Sequence, residues 1–288
     1  MPSFAIVKDS TAYIPRDLLR HFQITIVPLS VTFDGVTYRD GLDITPEQFY
    51  HHLSHLAKLP ITSPPPVEAF IETYQKLAQT HDGILSVHLS GDYSRTVEVA
   101  RQAAAAVDIP VEVVDSRSVA MGTGFVVLEA ARARENGATL TQATAAARRL
   151  VPQLHVRMIV DDLRYLHLGG RIGMAERWLG AALTLKPILA VEKGHTTIAG
   201  TARGHRAAMD ELVAQLQRAV GEQPLHVAVG HAAATRDALW LYDQIADQFN
   251  VVELHFSELS PVVGTHVGPG TVGIVYYTDA SADQISAA

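Results

Sequence analysis

The chain contains no cysteine. Disulfide scaffolds, thiol nucleophiles and zinc–thiolate centres are therefore excluded together, and the absence fits a reducing cytoplasm. Positive charge is scarce as well: 23 Lys and Arg against 30 Asp and Glu leave a net charge of -7. That balance argues against non-specific nucleic-acid binding, which needs a basic face to neutralise phosphates. It also disfavours residence on an anionic membrane surface and leaves only transient membrane contact. Long apolar runs are missing. The richest stretch, GAALTLKPILAV, is short and carries Lys186 and Pro187, whereas a membrane-crossing helix needs about 20 apolar residues. The opening MPSFAIVKDS has neither the basic start nor the long apolar core of a signal peptide. A cytoplasmic location is the expectation.

What is present is a globular composition, 48% hydrophobic and 18% charged over 288 residues. That length suits roughly two domains of about 150 residues. FAIVKDS reads as a buried strand running into the polar Asp9-Ser10-Thr11. ITIVPLSVTFDG is a second extended segment, and Pro28 makes it an edge or a bend. TPEQFYHHLSHL opens a helix, with Thr45 as cap, Pro46 at the first helical position and Glu47 in the first turn. A proline-rich loop, ITSPPP, leads into another helix. DGILSVHLSGDYS and IPVEVVDSRSVAMGTG each run strand, polar turn, helix. Strands that are near-continuous apolar runs, alternating with helices, are the pattern of a mostly parallel sheet covered on both faces. Ligands of such sheets sit at the carboxyl ends of the strands, here at Asp9-Ser10-Thr11, Ser90-Gly91 and Asp115-Ser116.

The second half starts near HVRMIVDDLRYLHLGGRIG. It contains a hairpin predicted to turn at Lys193-Gly194, then helices and strands ending in SPVVGTHVGPGTVGIVYY. The expected fold class is α/β, with two α/β domains at 1–155 and 156–288 and a ligand site near their interface.

Candidate chemistry is limited. Ser90 and His266 offer a nucleophile and a base, but VHLSGDY lacks the flanking glycines of a Gly-x-Ser-x-Gly elbow; Ser90 also suits a cap, a turn or a ligand-binding hydroxyl. His51 and His55 stand at i, i+4 on a helix without His-Glu-x-x-His or a third ligand, and read as surface histidines. GGRIG and GTHVGPG match neither phosphate-loop pattern; their glycines suit positive φ or close packing. What remains is a set of donors: Thr62, Ser63, Ser90, Arg171 and His266. Hydroxyls, a guanidinium and an imidazole N–H are groups that a carboxylate requires. His266 itself stays open between headgroup donor and core histidine.

At this point seven pieces, in order along the whole chain, resemble the DegV family, and in particular its FakB-like fatty-acid-binding members. They are VKDSTAYIP, ITSPPPVEAF, LSVHLSGDYSRT, VEVVDSRSVAMGTG, LRYLHLGGRIG, the LKPIL to GHTTIAGTARGHRAAM region, and HVGPGTVG. The resemblance implies two α/β domains holding an acyl chain in an apolar tunnel. It implies that Thr62, Ser90 and His266 contact the fatty acid's carboxylate, that Arg171 supports them, and that Arg203 helps to dock a partner. The implied role is a carrier without cofactor of its own. It would present a long-chain fatty acid to a dihydroxyacetone-kinase-like, ATP-dependent fatty acid kinase that makes an acyl phosphate for phospholipid synthesis.

The chain departs from the family pattern at Pro65, Pro66, Val87 and Asp92. Asp92 is expected in the first turn of a helix, where it favours the dipole. Two other readings remain: a serine hydrolase of acyl esters using Ser90 and His266, and a lipid-responsive regulatory protein. For a carrier, each buried methylene is worth about 0.8 kcal/mol, so about 15 of them give a gross value near 12 kcal/mol, and ordering the chain reduces it. The tail would supply affinity and the polar cluster orientation.

Overall fold

The structure, a computed structural model, describes residues 4–53, 56, 58–179 and 185–279. Strand β1 (Phe4–Asp9), helix α1 (Arg16–His21) and β2 (Ile24–Val27) open the chain. After Pro28 the chain leaves that layer for β3 (Ser30–Phe33), β4 (Val36–Arg39), α2 (Pro46–Leu53) and β5 (Ile61–Ser63). It returns through α3 (Val67–Ala78), β6 (Gly83–His88), α4 (Thr96–Ala104) and β7 (Val111–Asp115), followed by α5 (Met121–Glu135) and α6 (Leu140–Leu150). The second half holds β8 (His155–Ile159), α7 (Arg164–Leu168), β9 (Leu185–Glu192), β10 (His195–Arg203), α8 (His205–Val220), β11 (Leu225–Ala232), α9 (Thr235–Gln248), β12 (Val251–Glu258), α10 (Pro261–Val267) and β13 (Thr271–Thr278).

The first sheet, β2-β1-β6-β7, is parallel throughout. All six residues of β1 and of β6 are buried, as a sheet covered on both faces demands. The second sheet runs β10-β9-β8-β13-β11-β12 and is mixed, with only β11 and β12 parallel. Its hairpin turns where expected: Lys193 and Gly194 both have positive φ, 51° and 90°, and Glu192 pairs with His195. Two positive φ values in a two-residue loop match the twist of the flanking strands.

Helix α5 separates the sheets. Met121 to Leu128 are buried without interruption, as befits a helix apolar on every side. Phe125 meets Tyr277 of β13 edge-on at 5.2 Å, and the same cluster includes Leu85 and Val87 of the first sheet with Val156, Val191, Ala228 and Val275 of the second. Helices α3 and α4 cover the outer face of the first sheet, and α8 and α9 that of the second.

A small antiparallel sheet, β4-β3-β5, sits apart from both. Val31, Phe33 and, from α2, Phe49 pack with Met158, Leu189, Val262 and Val267 of the second half. Helix α2 is capped as read: Thr45 and Gln48 exchange backbone-to-side-chain hydrogen bonds of 3.3 and 3.0 Å. His51 is exposed on it, and His55 lies outside the described residues. Among the described residues no helix is long and apolar enough to cross a membrane, and no group of three His, Asp or Glu has metal-holding geometry.

Candidate functional site

A cavity of about 230 Å³ opens between the carboxyl ends of β6 and β7, the inner face of the second sheet, and α10. Its walls are largely apolar, with Leu89, Met121, Val156, Met158, Val191 and Val275 among them. At the end where α10 carries His266, β5 and the turn after α7 bring in Thr62, Ser63 and Arg171; Ser94, Arg95, Arg157, Ser257 and Thr271 also belong to the lining.

The geometry at that end is specific. Thr62 Oγ1 and His266 Nε2 share a hydrogen bond of 2.8 Å, across 204 residues of sequence. β5 places Thr62 there by pairing with β3, Val31 opposite Thr62. His266 Nδ1 is buried and has no hydrogen-bond partner among the described residues. It lies against Gly169, where a Cβ would collide with it; that glycine serves close packing. Burial first, and the Arg171 guanidinium second, push the imidazole down to about 4. His266 is therefore neutral at pH 7.

Arg171 Nε and Nη2 donate to the Tyr93 carbonyl at 3.0 and 2.8 Å, and Nη1 donates to the Gly169 carbonyl at 2.6 Å. Burial lowers its pKa from the ordinary arginine value, yet an arginine remains a cation in a protein. No carboxylate pairs with it among the described residues. Thr196 ties the end together: its hydroxyl donates to the Arg171 carbonyl at 2.8 Å and shares a 2.9 Å bond with the Tyr93 hydroxyl.

Two expectations need correction. Ser90 is fully buried but does not line the cavity; its hydroxyl donates to the Gly194 carbonyl at 3.3 Å and accepts the Asp92 N–H at 3.2 Å. It clasps the β9–β10 hairpin, and among the described residues it makes no bond to His266, so the serine–histidine dyad is not assembled. Asp92 is not in a helix's first turn, because α4 begins only at Thr96. It lies in the preceding turn, within 3.5 Å of Arg117 and 3.6 Å of His195. It thus faces the hairpin and is absent from the cavity wall. Arg203 is exposed at the end of β10, also away from the wall. Pro65 and Pro66 precede α3, and Pro66 takes the extended N-cap position with ψ 152°.

Sequence reasoning missed Tyr93, Thr196 and the anchor of α10. Ser260 Oγ donates to Asp40 Oδ2 at 2.8 Å, the Val262 N–H donates to Asp40 Oδ1 at 3.2 Å, and the Tyr50 hydroxyl donates to the Leu259 carbonyl at 2.9 Å. These bonds hold the start of the helix that carries His266. Burial first raises the Asp40 pKa, against the hydrogen bonds it accepts. A lone aspartate at position 40 and a serine before Pro261 offered no pattern that joins them.

The chain belongs to the DegV family: the sequence model described as "Uncharacterised protein, DegV family" matches residues 3–279. A DegV domain-containing protein of Streptomyces coelicolor is 37% identical over 273 residues, covering 94% of this chain and 97% of its own. Protein DegV of Bacillus subtilis is 31% identical over 277 residues, covering 95% and 99%. Among solved structures, a fatty-acid-binding DegV family protein from Thermus thermophilus superposes with a TM-score of 0.91 at 34% identity, covering 96% of this chain and all (100%) of that one. DegV of Bacillus subtilis, described as a fatty acid binding protein, gives 0.88 at 30% identity, covering 97% and 100%.

Proposed function

We propose that this protein is a cytoplasmic carrier of one long-chain fatty acid. It holds the acyl tail in the apolar cavity and the carboxylate at the end formed by Thr62, Ser63, Arg171 and His266. The observation that carries this reading is Arg171: a half-buried cation, without a carboxylate of its own among the described residues, stands beside His266 in the wall of a largely apolar cavity. A buried charge calls for a counter-charge. The fatty-acid-binding DegV proteins of Thermus thermophilus and Bacillus subtilis, at 34% and 30% identity, support the choice of ligand.

The roles follow from protonation. A neutral His266 that donates from Nε2 to Thr62 Oγ1 leaves the threonine hydroxyl hydrogen free for the carboxylate. Arg171 supplies the nearby positive charge. Neither group acts as a base. The chemistry belongs to a dihydroxyacetone-kinase-like fatty acid kinase, in which a carboxylate oxygen bonds to the γ-phosphorus of ATP as the bond to ADP breaks, giving an acyl phosphate for phospholipid synthesis. Exposed Ile61 and Leu168 adjoin Thr62 and Gly169, exposed Met174 follows Arg171 closely, and Arg203 is free of the wall; they suit docking of that partner. The protein itself takes no cofactor and meets membranes only transiently. We assign the two α/β domains to 1–155 and 156–288, with the cavity at their junction; the sheet memberships of β1, β2, β6, β7 and of β8 to β13 support that division.

The test is native mass spectrometry of freshly purified protein, followed by extraction and lipid identification. One fatty acid per chain is expected, with reduced occupancy in Arg171→Met. Protein that carries no lipid and takes up none when fatty acid is offered would falsify the carrier reading. For the partner, the loaded protein with the kinase and ATP should yield hydroxylamine-trappable acyl phosphate. No acyl phosphate would remove the kinase.

A further inference from the structure

The cavity floor contains a feature that its lining does not announce. Strands β11 and β13 are central in the second sheet, where side chains normally cover the backbone. On β11, Val227 and Val229 face α8 and α9, so Ala228 and Gly230 face the cavity. On β13, Val272 and Ile274 face those same helices, so Gly273 and Val275 face the cavity. The antiparallel register sets Gly230 directly opposite Gly273. Two bare residues therefore adjoin on the same face of two central strands. Both are only half-buried, although the strand residues on either side of each are buried. Glycine inside a strand marks a place where a ligand or another backbone comes close.

The two glycines have different neighbours. A Cβ on Gly273 would meet the Arg157 carbonyl and Met158 Cβ at 2.8 Å, so that glycine serves the close approach of β8. A Cβ on Gly230 would meet only the Leu259 side chain, at 3.3 Å. No backbone forbids a side chain there; it would project into the cavity. Gly230 adjoins Leu259, just before α10, while His266 stands near the other end of that helix. Seven residues at helical rise separate them by on the order of 10 Å. The notch therefore faces the middle of a long acyl chain and not its carboxylate.

We propose that Gly230 is a specificity-determining residue: the Gly230–Gly273 notch widens the cavity locally, so that the protein accepts a mid-chain kink or branch. This rests on the carrier reading and names its substrate class, an acyl chain widened near its middle by a cis double bond or a methyl group. The experiment measures affinities of delipidated wild type, Gly230→Ala and Gly230→Val for octadecanoate, cis-9-octadecenoate and 10-methyloctadecanoate. The Val variant should weaken binding of one or both widened acids about tenfold or more while octadecanoate changes less than about threefold. The Ala variant, which needs only a small shift of Leu259, should show the same order at smaller size and remains readable if Val does not fold. Loss confined to the octadecenoate assigns the notch to a kink, and loss confined to the methyl acid assigns it to a branch. Equal weakening of all three acids, or an unchanged ratio, overturns the proposal while the carrier reading stands. Wild type that binds none of the three overturns the carrier reading, and this proposal with it.

Discussion

Two histidines deep in the molecule invite comparison. His88, at the end of β6, is fully buried and complete: Nδ1 lies 3.2 Å from Asp9 Oδ2, and Nε2 is 2.7 Å from Ser86 Oγ, which the Tyr74 hydroxyl meets at 2.8 Å. Asp9 accepts further bonds from Thr11 Oγ1 at 2.6 Å and the Leu89 N–H at 2.9 Å. Burial pushes the Asp9 carboxyl up, but His88 and those bonds outweigh it and hold the pKa below the usual range. His266 is incomplete. It has one bond, an idle Nδ1, and a cation as its charged neighbour. The first histidine travels with its own carboxylate and serves the fold. The second has no carboxylate partner among the described residues, which suits the headgroup role proposed for it. Depth alone does not separate a core histidine from a site histidine; the ledger of partners does.

The contrast can be broken most directly at Asp9. Asp9→Ala should cost about 3–5 kcal/mol, since it leaves His88 Nδ1 and three further donors, the Thr11 N–H, the Thr11 hydroxyl and the Leu89 N–H, unpaired in the interior. Urea unfolding reads this, and a loss under about 1 kcal/mol would mean that the His88 network is not structural.

The next effect is pH. His266 titrates near 4 in the folded chain and near its ordinary 6.5 when unfolded. Between those values the unfolded state binds the extra proton, so its contribution is present above about pH 6.5 and is lost as pH falls toward 4. The size is on the order of 3 kcal/mol. Unfolding of lipid-free protein at stepped pH should show this slope, and His266→Ala should flatten it. Equal slopes in the two proteins would show that His266 is not held neutral.

The smallest effects separate the two hydroxyls. Thr62→Val should weaken fatty-acid binding about fivefold, one net hydrogen bond. Ser90→Ala should lower stability by about 1 kcal/mol and leave affinity alone. Calorimetric titration of both decides; a weaker Ser90→Ala complex would return Ser90 to the headgroup.

Much of the fold is legible locally. The apolar runs of β1 and β6 announce buried parallel strands, Pro28 announces the break between β2 and β3, and Lys193-Gly194 announces the hairpin. Each rests on backbone conformation or periodicity within a few residues. The whole-chain resemblance places Thr62, Arg171 and His266 in one set, and the structure brings those three together. Ser90 and Asp92 went the other way because their surroundings come from the β9–β10 hairpin, about a hundred residues later in the chain. Helix α5 carried a signal in its uninterrupted apolar run, from Phe125 to Leu128, which marks a helix enclosed on all sides.

By itself, the amino-acid sequence determined the alternation of elements, the lack of thiol and thiolate chemistry, and the family with its short list of polar residues. Propensity, patterning and composition act over a few residues, so they can be read in one dimension. Only the tertiary structure decided which of those polar groups share an end of the cavity, that Arg171 bonds to carbonyls and not to a carboxylate, and that Gly230 lies opposite Gly273. Those facts depend on strand register and on contacts between segments far apart in the chain. Side-chain chemistry gives each group its capacity to bond, and packing selects the partner it meets.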